Sequence, residues 1–179
     1  MLNISIRSLA ETDDLEELTR LLNRSYKALA DMGLHFVASH QNTERTRQRV
    51  AEGRCFVALK DGKIVGTICY YSPQNTHGTP WYDLPNVAHF GQFAVEPELQ
   101  RSGIGNLLLK EVENEAFKNS VEELALDTAE TAFHLIEFYK KRGYRFIEFT
   151  QWNEVNYRSV IMSKTLHEHV TSFKKTDNA

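Results

Sequence analysis

Cysteine is scarce in this chain: Cys55 and Cys69 are the only two in 179 residues. Both sit in apolar, strand-like runs, so two buried thiols in a reducing cytoplasm are expected rather than a disulfide. Neither sign of charge dominates, with 21 Lys and Arg against 24 Asp and Glu and a net charge of −3, which disfavours a large nucleic-acid surface. No apolar run approaches the length of a membrane span. The N-terminal Met-Leu-Asn-Ile-Ser-Ile-Arg alternates like a strand and lacks the apolar core of a signal peptide. A Gly-x-Ser-x-Gly elbow is missing, so serine acyl-enzyme chemistry is not expected. There is no internal repeat and no low-complexity segment before the tail. With 41% hydrophobic and 25% charged residues the composition is that of an ordinary globular protein. It suits one domain over residues 1–166, followed by a polar tail, 167–179.

The most informative stretch runs from Val87 to Glu111. Val87–Val95 is mostly apolar or small, as a strand buried on both faces should be. Pro97 stops it, because proline cannot donate to a sheet ladder. Gln100-Arg101-Ser102-Gly103-Ile104-Gly105 then opens a helix with Ile104, Leu107, Leu108 and Val112 at helical spacing. Glycines at a helix start let a ligand approach the backbone, and the free N–H groups with the helix dipole form an anion site. Arg101 adds a positive charge suited to phosphate. The loop is not a Walker loop, since no Gly-Lys-Ser/Thr follows. Nor is it a dinucleotide fingerprint, since Leu108 stands where the third glycine belongs.

Around this stretch the periodicities predict strand Ile4–Leu9 and a helix from Asp13, acting as N-cap, to Ala30, ended by Asp31-Met32-Gly33. A second, highly charged helix capped by Asn42 or Thr43 runs to Glu52, with one side facing solvent. Arg54–Lys60 and Lys63–Tyr71 form a hairpin through Asp61-Gly62. Ser72–Asn86 is a long loop with aromatics that either serves function or covers a sheet edge. Glu122–Thr128 is a strand, Thr131–Arg142 a helix ended by Gly143, and Tyr144–Thr150 and Asn156–Lys164 are the last strands. The order predicts an α/β fold with antiparallel hairpins and one right-handed parallel crossover, from Val87–Val95 to Glu122–Thr128.

The Gln100–Gly105 run, after a strand ending Phe93-Ala94-Val95-Glu96-Pro97, resembles the acyl-CoA signature Gln/Arg-x-x-Gly-x-Gly/Ala of the general amine N-acetyltransferase (GNAT) superfamily. Ala132–Tyr144, reading Ala-Phe-His-Leu-Ile-Glu-Phe-Tyr-Lys-Lys-Arg-Gly-Tyr, is similar to the family's second signature, with Ala132 in place of the common asparagine and Leu135 in place of the common alanine. The final Val-Ile-Met-Ser-Lys is similar to the usual last strand. The resemblance implies a mixed seven-stranded sheet with about four helices and a splayed central strand pair that admits acetyl-CoA as co-substrate, with no metal. It implies that Phe93, Ala94 and Val95 meet the pantetheine arm, and that Gln100, Arg101, Ser102, Gly103, Ile104, Gly105 and Asn106 hold the pyrophosphate. Tyr139 matches the family's tyrosine, which can protonate the leaving thiolate. That transfer is uphill by about 1.5 pKa units, or about 2 kcal/mol, between free groups, so thiolate can also leave unaided. The implied reaction is direct acetyl transfer to a primary amine of a small molecule or peptide. The alternative is a non-catalytic acyl-CoA-binding sensor or partner module. A homodimer is one option for assembly, and no nucleic acid or membrane partner is expected.

His89, six residues before Val95, stands where several members of the family place a glutamate base. Its imidazole either takes a proton from nitrogen after attack or is a core histidine satisfied by backbone. Gln92 and Asp127 are further candidates. Asp127 alternatively attracts a cationic substrate or caps the next turn. Lys140-Lys141-Arg142 suits a helix C-terminus and alternatively an adenosine 3′-phosphate. His167-x-His169 lacks a third metal ligand nearby. Tyr26, Met32, His35, Phe36, His77, Trp81 and Tyr82 are expected to shape the acceptor side.

Overall fold

In the computed structural model, which describes residues 3–166, the chain opens with β1 (Ile4–Ser8) and α1 (Leu15–Asp31). The N-cap of α1 is Asp14, not Asp13 as its sequence suggested. Asp14 Oδ1 accepts from the Glu16 and Glu17 N–H groups at 2.8 and 3.1 Å. Asp13 lies opposite Arg7 on β1 and takes its guanidinium bidentately at 2.6 and 2.7 Å. Gly33, at φ 82°, turns the chain after α1, and Asn42 caps α2 (Thr43–Ala51) by accepting from the Arg45 N–H at 2.8 Å. The hairpin of β2 (Arg54–Lys60) and β3 (Lys63–Tyr71) turns on Asp61 and Gly62, both left-handed at φ 50° and 77°, as a tight primed turn demands. Then come β4 (Val87–Val95), α3 (Ile104–Lys118), β5 (Glu123–Ala129), α4 (Phe133–Lys140), β6 (Arg145–Thr150) and β7 (Ser159–Thr165).

The seven strands form one sheet in the order β1-β2-β3-β4-β5-β7-β6. Only β4 and β5 are parallel, joined by the crossover through α3. The main core packs Ile104, Leu108, Leu109, Val112 and Ala116 of α3 and Tyr139 of α4 against Phe56, Ile68, Phe90 and Leu126 of the sheet. Leu107, expected on that stripe, is exposed; the buried stripe drifts to Leu109 instead, as 3.6-residue periodicity allows. On the other face Leu18, Leu21 and Leu22 of α1 cover Ala94.

The expectation of two separate thiols fails. Cys55 and Cys69 are directly opposite in the β2–β3 register and are joined as a disulfide across the pair, with Cα atoms 4.0 Å apart. Each run read alone gave a buried cysteine; only the register shows that they face each other.

Two features of β4 make the site. It pairs with β5 only at Val87, Ala88 and His89, after which the two strands diverge. It also carries a bulge: Gln92 and Phe93 oppose the single Ile68 of β3, and Gln92 takes φ 49°.

Candidate active site

The divergence of β4 from β5 leaves a cleft of about 740 Å³, floored by Phe93, Ala94 and Val95 and walled by α1 and α4. The Glu96 N–H donates to Val65 on β3 at 2.9 Å, and the Ala94 carbonyl also faces β3. Alternation therefore turns the N–H and C=O groups of Phe93 and Val95 toward the cleft. Their carbonyls are taken by α1 and the following loop. Tyr26 Oη donates to Phe93 at 3.0 Å, and Ser25 Oγ and Gln100 Nε2 donate to Val95 at 2.9 and 3.3 Å. What these residues offer a ligand is their N–H groups.

At the cleft mouth Arg101 and Gly103 adopt left-handed φ of 63° and 95°. Among the described residues, the backbone N–H groups of Arg101, Ser102, Gly103, Ile104 and Gly105 donate to no backbone or side-chain acceptor. The first to turn back is Asn106, onto the Gly103 carbonyl at 3.0 Å. A Cβ at Gly103 would meet nothing within 4 Å, so the space before these amides is open. A Cβ at Gly105 would lie in ordinary contact with the Phe93 ring at 3.4 Å, so of the two glycines it is Gly103, at its left-handed φ, that the loop requires. Unpartnered amides at a helix N-terminus, in front of open space and beside Arg101, fit a pyrophosphate. The side chains contribute less than the motif suggested. Ile104 is buried in the core. Ser102 Oγ turns back to the Leu99 carbonyl. Asn106 Oδ1 accepts from Arg142 Nε and Nη2 at 2.9 and 2.6 Å, so the basic run ending α4 clamps α4 to α3.

Tyr139 projects from α4 into the cleft, its ring packed against Phe138, Tyr144 and Phe90 at 5.2, 5.9 and 6.1 Å. Its hydroxyl makes no hydrogen bond among the described residues. Burial pushes it well above the ordinary tyrosine range, with Tyr26 and Asp127 adding to the effect and Arg142 opposing it. The group is protonated at any physiological pH.

The opposite face of β4 carries a second constellation. The His89 ring stacks between Tyr71 and Tyr82, with centroids 4.6 and 5.0 Å away. Thr76 Oγ1 donates to the Ser72 carbonyl at 2.8 Å and so accepts from His89 Nδ1–H at 2.9 Å, which leaves the lone pair on Nε2. Burial, then Arg49 and His77, push this imidazole down to about 3. It is neutral at pH 7 and a feeble proton acceptor. Asp127, on β5, is half-buried. Burial raises its carboxyl, while Trp152 Nε1 at 3.1 Å, Arg49 and Ser159 Oγ at 3.4 Å pull the other way. Gln92 is tied down, its Oε1 accepting from Gln41 Nε2 at 2.9 Å.

Of the residues expected on the acceptor side, Tyr26 and Phe36 meet at a tilt with centroids 5.4 Å apart and Tyr82 joins His89, while Tyr26 and Met32 line the cleft. His35 and His77 are exposed, and Trp81 lies beside Arg145 instead. Two participants escaped the sequence reading. Tyr157 packs at a tilt against Phe36, centroids 4.7 Å apart, and Arg49 approaches Gly91 at the sheet centre. Arg49 had a signal: in a helix of charges it shares the inward stripe with Thr46 and Val50, at i, i+3, i+4 spacing. His167 and His169 lie outside the described residues. No described helix is long and apolar enough to cross a membrane.

Comparison with known proteins agrees with this geometry. The sequence profile described as "Acetyltransferase (GNAT) family" matches residues 15–144. A relative from Bacillus subtilis (strain 168), S-(2-succino)cysteine N-acetyltransferase, is 31% identical over 138 residues, covering 76% of this chain and 81% of that protein. The ribosomal-protein-S18-alanine N-acetyltransferase of Escherichia coli superposes with a TM-score of 0.69 at 18% identity, over 94% of this chain and 97% of that one. A GNAT family acetyltransferase from Elizabethkingia anophelis with acetyl-CoA bound gives 0.64 at 21% identity, over 92% and 99%. With its signature loop at the mouth of a splayed seven-stranded sheet, the chain belongs to the GNAT acetyltransferase family.

Proposed function

We propose that this protein moves an acetyl group from acetyl-CoA directly to a primary amine of a small molecule or peptide. The observation that carries this reading is the run of unpartnered amides from Arg101 to Gly105, set at the mouth of a cleft lined by Tyr139. Acetyl-CoA supplies an activated thioester carbonyl. The N–H groups of Phe93 and Val95 hold the pantetheine arm as an added strand would, and the Val95 N–H is the oxyanion donor. The amine lone pair forms the C–N bond as the C–S bond breaks. The nitrogen releases one proton, and the sulfur takes one from Tyr139 Oη, which solvent then restores. A thiolate forming beside Tyr139 shares its poorly solvated surroundings, so burial that makes the phenol a weaker acid also makes the thiolate a stronger base. Donation therefore remains accessible.

His89 fits the core-histidine reading better than the base reading. Its affinity for a proton is too low to strip an amine at neutral pH, and it serves to fix the point where β4 and β5 part. The amine's proton leaves through solvent. The B. subtilis relative is named for an amino-acid acceptor, which puts free amino acids in the first panel beside polyamines, aminoglycosides and short peptides with free N-termini. Thiol release from acetyl-CoA across that panel is the test. Release with one class names the acceptor. Binding of acetyl-CoA without release by any amine would favour the non-catalytic module, and failure to bind acetyl-CoA would overturn the reading.

A further inference from the structure

The acceptor side holds two opposite charges that do not neutralise each other. On α2, Arg45 and Arg47 each have a carboxylate partner, Glu154 at 2.7 Å and Glu44 at 3.5 Å. Arg49 has no ion pair among the described residues, although it is the one turned inward. Its Nη1 donates to Gln41 Oε1 at 2.8 Å. Gln41 is itself fixed, because its Nε2 donates to Thr46 Oγ1 at 2.8 Å and to Gln92 Oε1 at 2.9 Å. The guanidinium is thus aimed by a buried amide, with Nη2 only 3.8 Å from where a Gly91 Cβ would stand. Gly91 immediately precedes the bulge, so the charge reaches the middle of the sheet.

Asp127 lies on β5 two residues beyond Ala125, the partner of His89, which sets it level with Gly91 where the strands part. Trp152 Nε1 and Ser159 Oγ both donate to its Oδ2, and no side chain donates to Oδ1. Arg49 is near enough to act on this carboxylate but not to pair with it. Tyr26, Tyr71 and Tyr157 all lie within range of the Arg49 charge. Both groups are half-buried, with hydrogen-bonding capacity that a ligand could complete. A single molecule carrying both charges close together would do so.

We propose that the acceptor is a free α-amino acid, its carboxylate received by Arg49 and its ammonium by Asp127 Oδ1; the ammonium gives one proton to solvent to become the neutral nucleophile, and the nitrogen gives up a second after attack. The proposal rests on the acetyl-transfer reading and narrows it. A polyamine offers no anion to Arg49. A peptide N-terminus has an amide where the α-carboxylate would be, so it also leaves the guanidinium unpaired. Arginine is suited to the task because its planar fork meets a carboxylate bidentately.

The test uses matched acceptors. The protein is given acetyl-CoA with each proteinogenic L-amino acid, and with S-carboxymethyl-L-cysteine, against the α-carboxamide of the same compound. The expected result is a kcat/KM at least about tenfold higher for the best acids than for their amides, as losing a charge-assisted bidentate contact implies. Most of the difference should sit in KM, and R49M should collapse the acid-to-amide ratio toward one. R49K, which keeps the charge without the fork, should retain part of it and serves if R49M does not fold. Calorimetric titration of the CoA-loaded protein with the same pairs gives a readout independent of turnover: acids bind and amides do not. Equal use or equal binding of acids and amides, or preference for peptides, overturns the proposal while leaving acetyl transfer standing. Absence of acetyl-CoA binding instead overturns the underlying reading.

Discussion

The two sides of β4 recognise by different means. In the cleft between α1 and α4, the proposed donor site, main-chain N–H groups face the space: those of Phe93 and Val95 on the strand and of Arg101 to Gly105 in the loop. On the α1–α2 side, the proposed acceptor region draws on side chains from separate segments: Arg49 from α2, His89 from β4 and Asp127 from β5, with Tyr26 of α1 between it and the cleft. A backbone site depends on conformation, so it needs glycine at fixed spacing and tolerates most else. A side-chain site depends on chemistry converging from distant parts of the chain, so it leaves no contiguous pattern. A glycine-loop lesion should therefore silence the enzyme toward every acceptor, whereas lesions opposite should change which acceptor is used.

The largest expected effect is at the loop. Gly103→Glu places a negative side chain before the anion-binding amides, at a φ of 95° that side chains rarely adopt. Acetyl-CoA affinity should fall by about a hundredfold or more, as opposed charge and backbone strain act together. Retained affinity, measured by equilibrium titration, would mean that the loop does not face the pyrophosphate. Next is Tyr139→Phe. It should lower kcat about tenfold, less than the roughly hundredfold usual for a lost general acid because thiolate can also leave unaided, with little change in KM. Unchanged turnover would reduce Tyr139 to a packing residue.

These two tests bear on what the sequence made legible. The strand Val87–Val95, the hairpin around Asp61-Gly62 and the loop at Gly103 are each written in consecutive residues, because each is dictated by local sterics or alternation. The β2–β3 disulfide, the capture of Asn106 by Arg142 and the inward turn of Arg49 depend on register or on pairing between distant segments. His89 was visible as a residue but not as an environment. Its stacking partners Tyr71 and Tyr82 come from two other stretches, and they help turn a candidate base into a neutral aromatic filler.

A smaller effect follows from that environment. Burial lowers His89 from 6.5 to about 3 in the folded protein. Between those values the unfolded chain takes up a proton that the folded chain refuses, so stability falls as pH drops through that window. His89→Gln should flatten this part of the stability curve, followed by urea denaturation at successive pH values. An identical slope in the variant would mean that His89 is not held neutral. At the other end of the scale Tyr26 is raised by burial from 10.0 to about 12, so its contribution is present below pH 10 and lost as pH rises toward 12. The smallest effect expected is from Asn106→Ala. It frees Arg142 and should cost about 1 kcal/mol of stability, the worth of an exposed charge-assisted contact, without touching acceptor preference.

The extra residue at Gln92 works as a phase slip in β4. Up to Gly91 the strand alternates in one register with β3, and from Ala94 onward it alternates in the next. Phe90 and Phe93, three residues apart, consequently point to the same side and both pack into the α3–α4 core. The thioester-facing half and the amine-facing half of one strand are thus decoupled in their odd–even code. Substitutions upstream of the slip can retune the acceptor chamber without reversing any side chain downstream. Deleting Gln92 would set Phe93 directly opposite Ile68 and restore plain alternation, so it would erase the slip without turning any downstream side chain over.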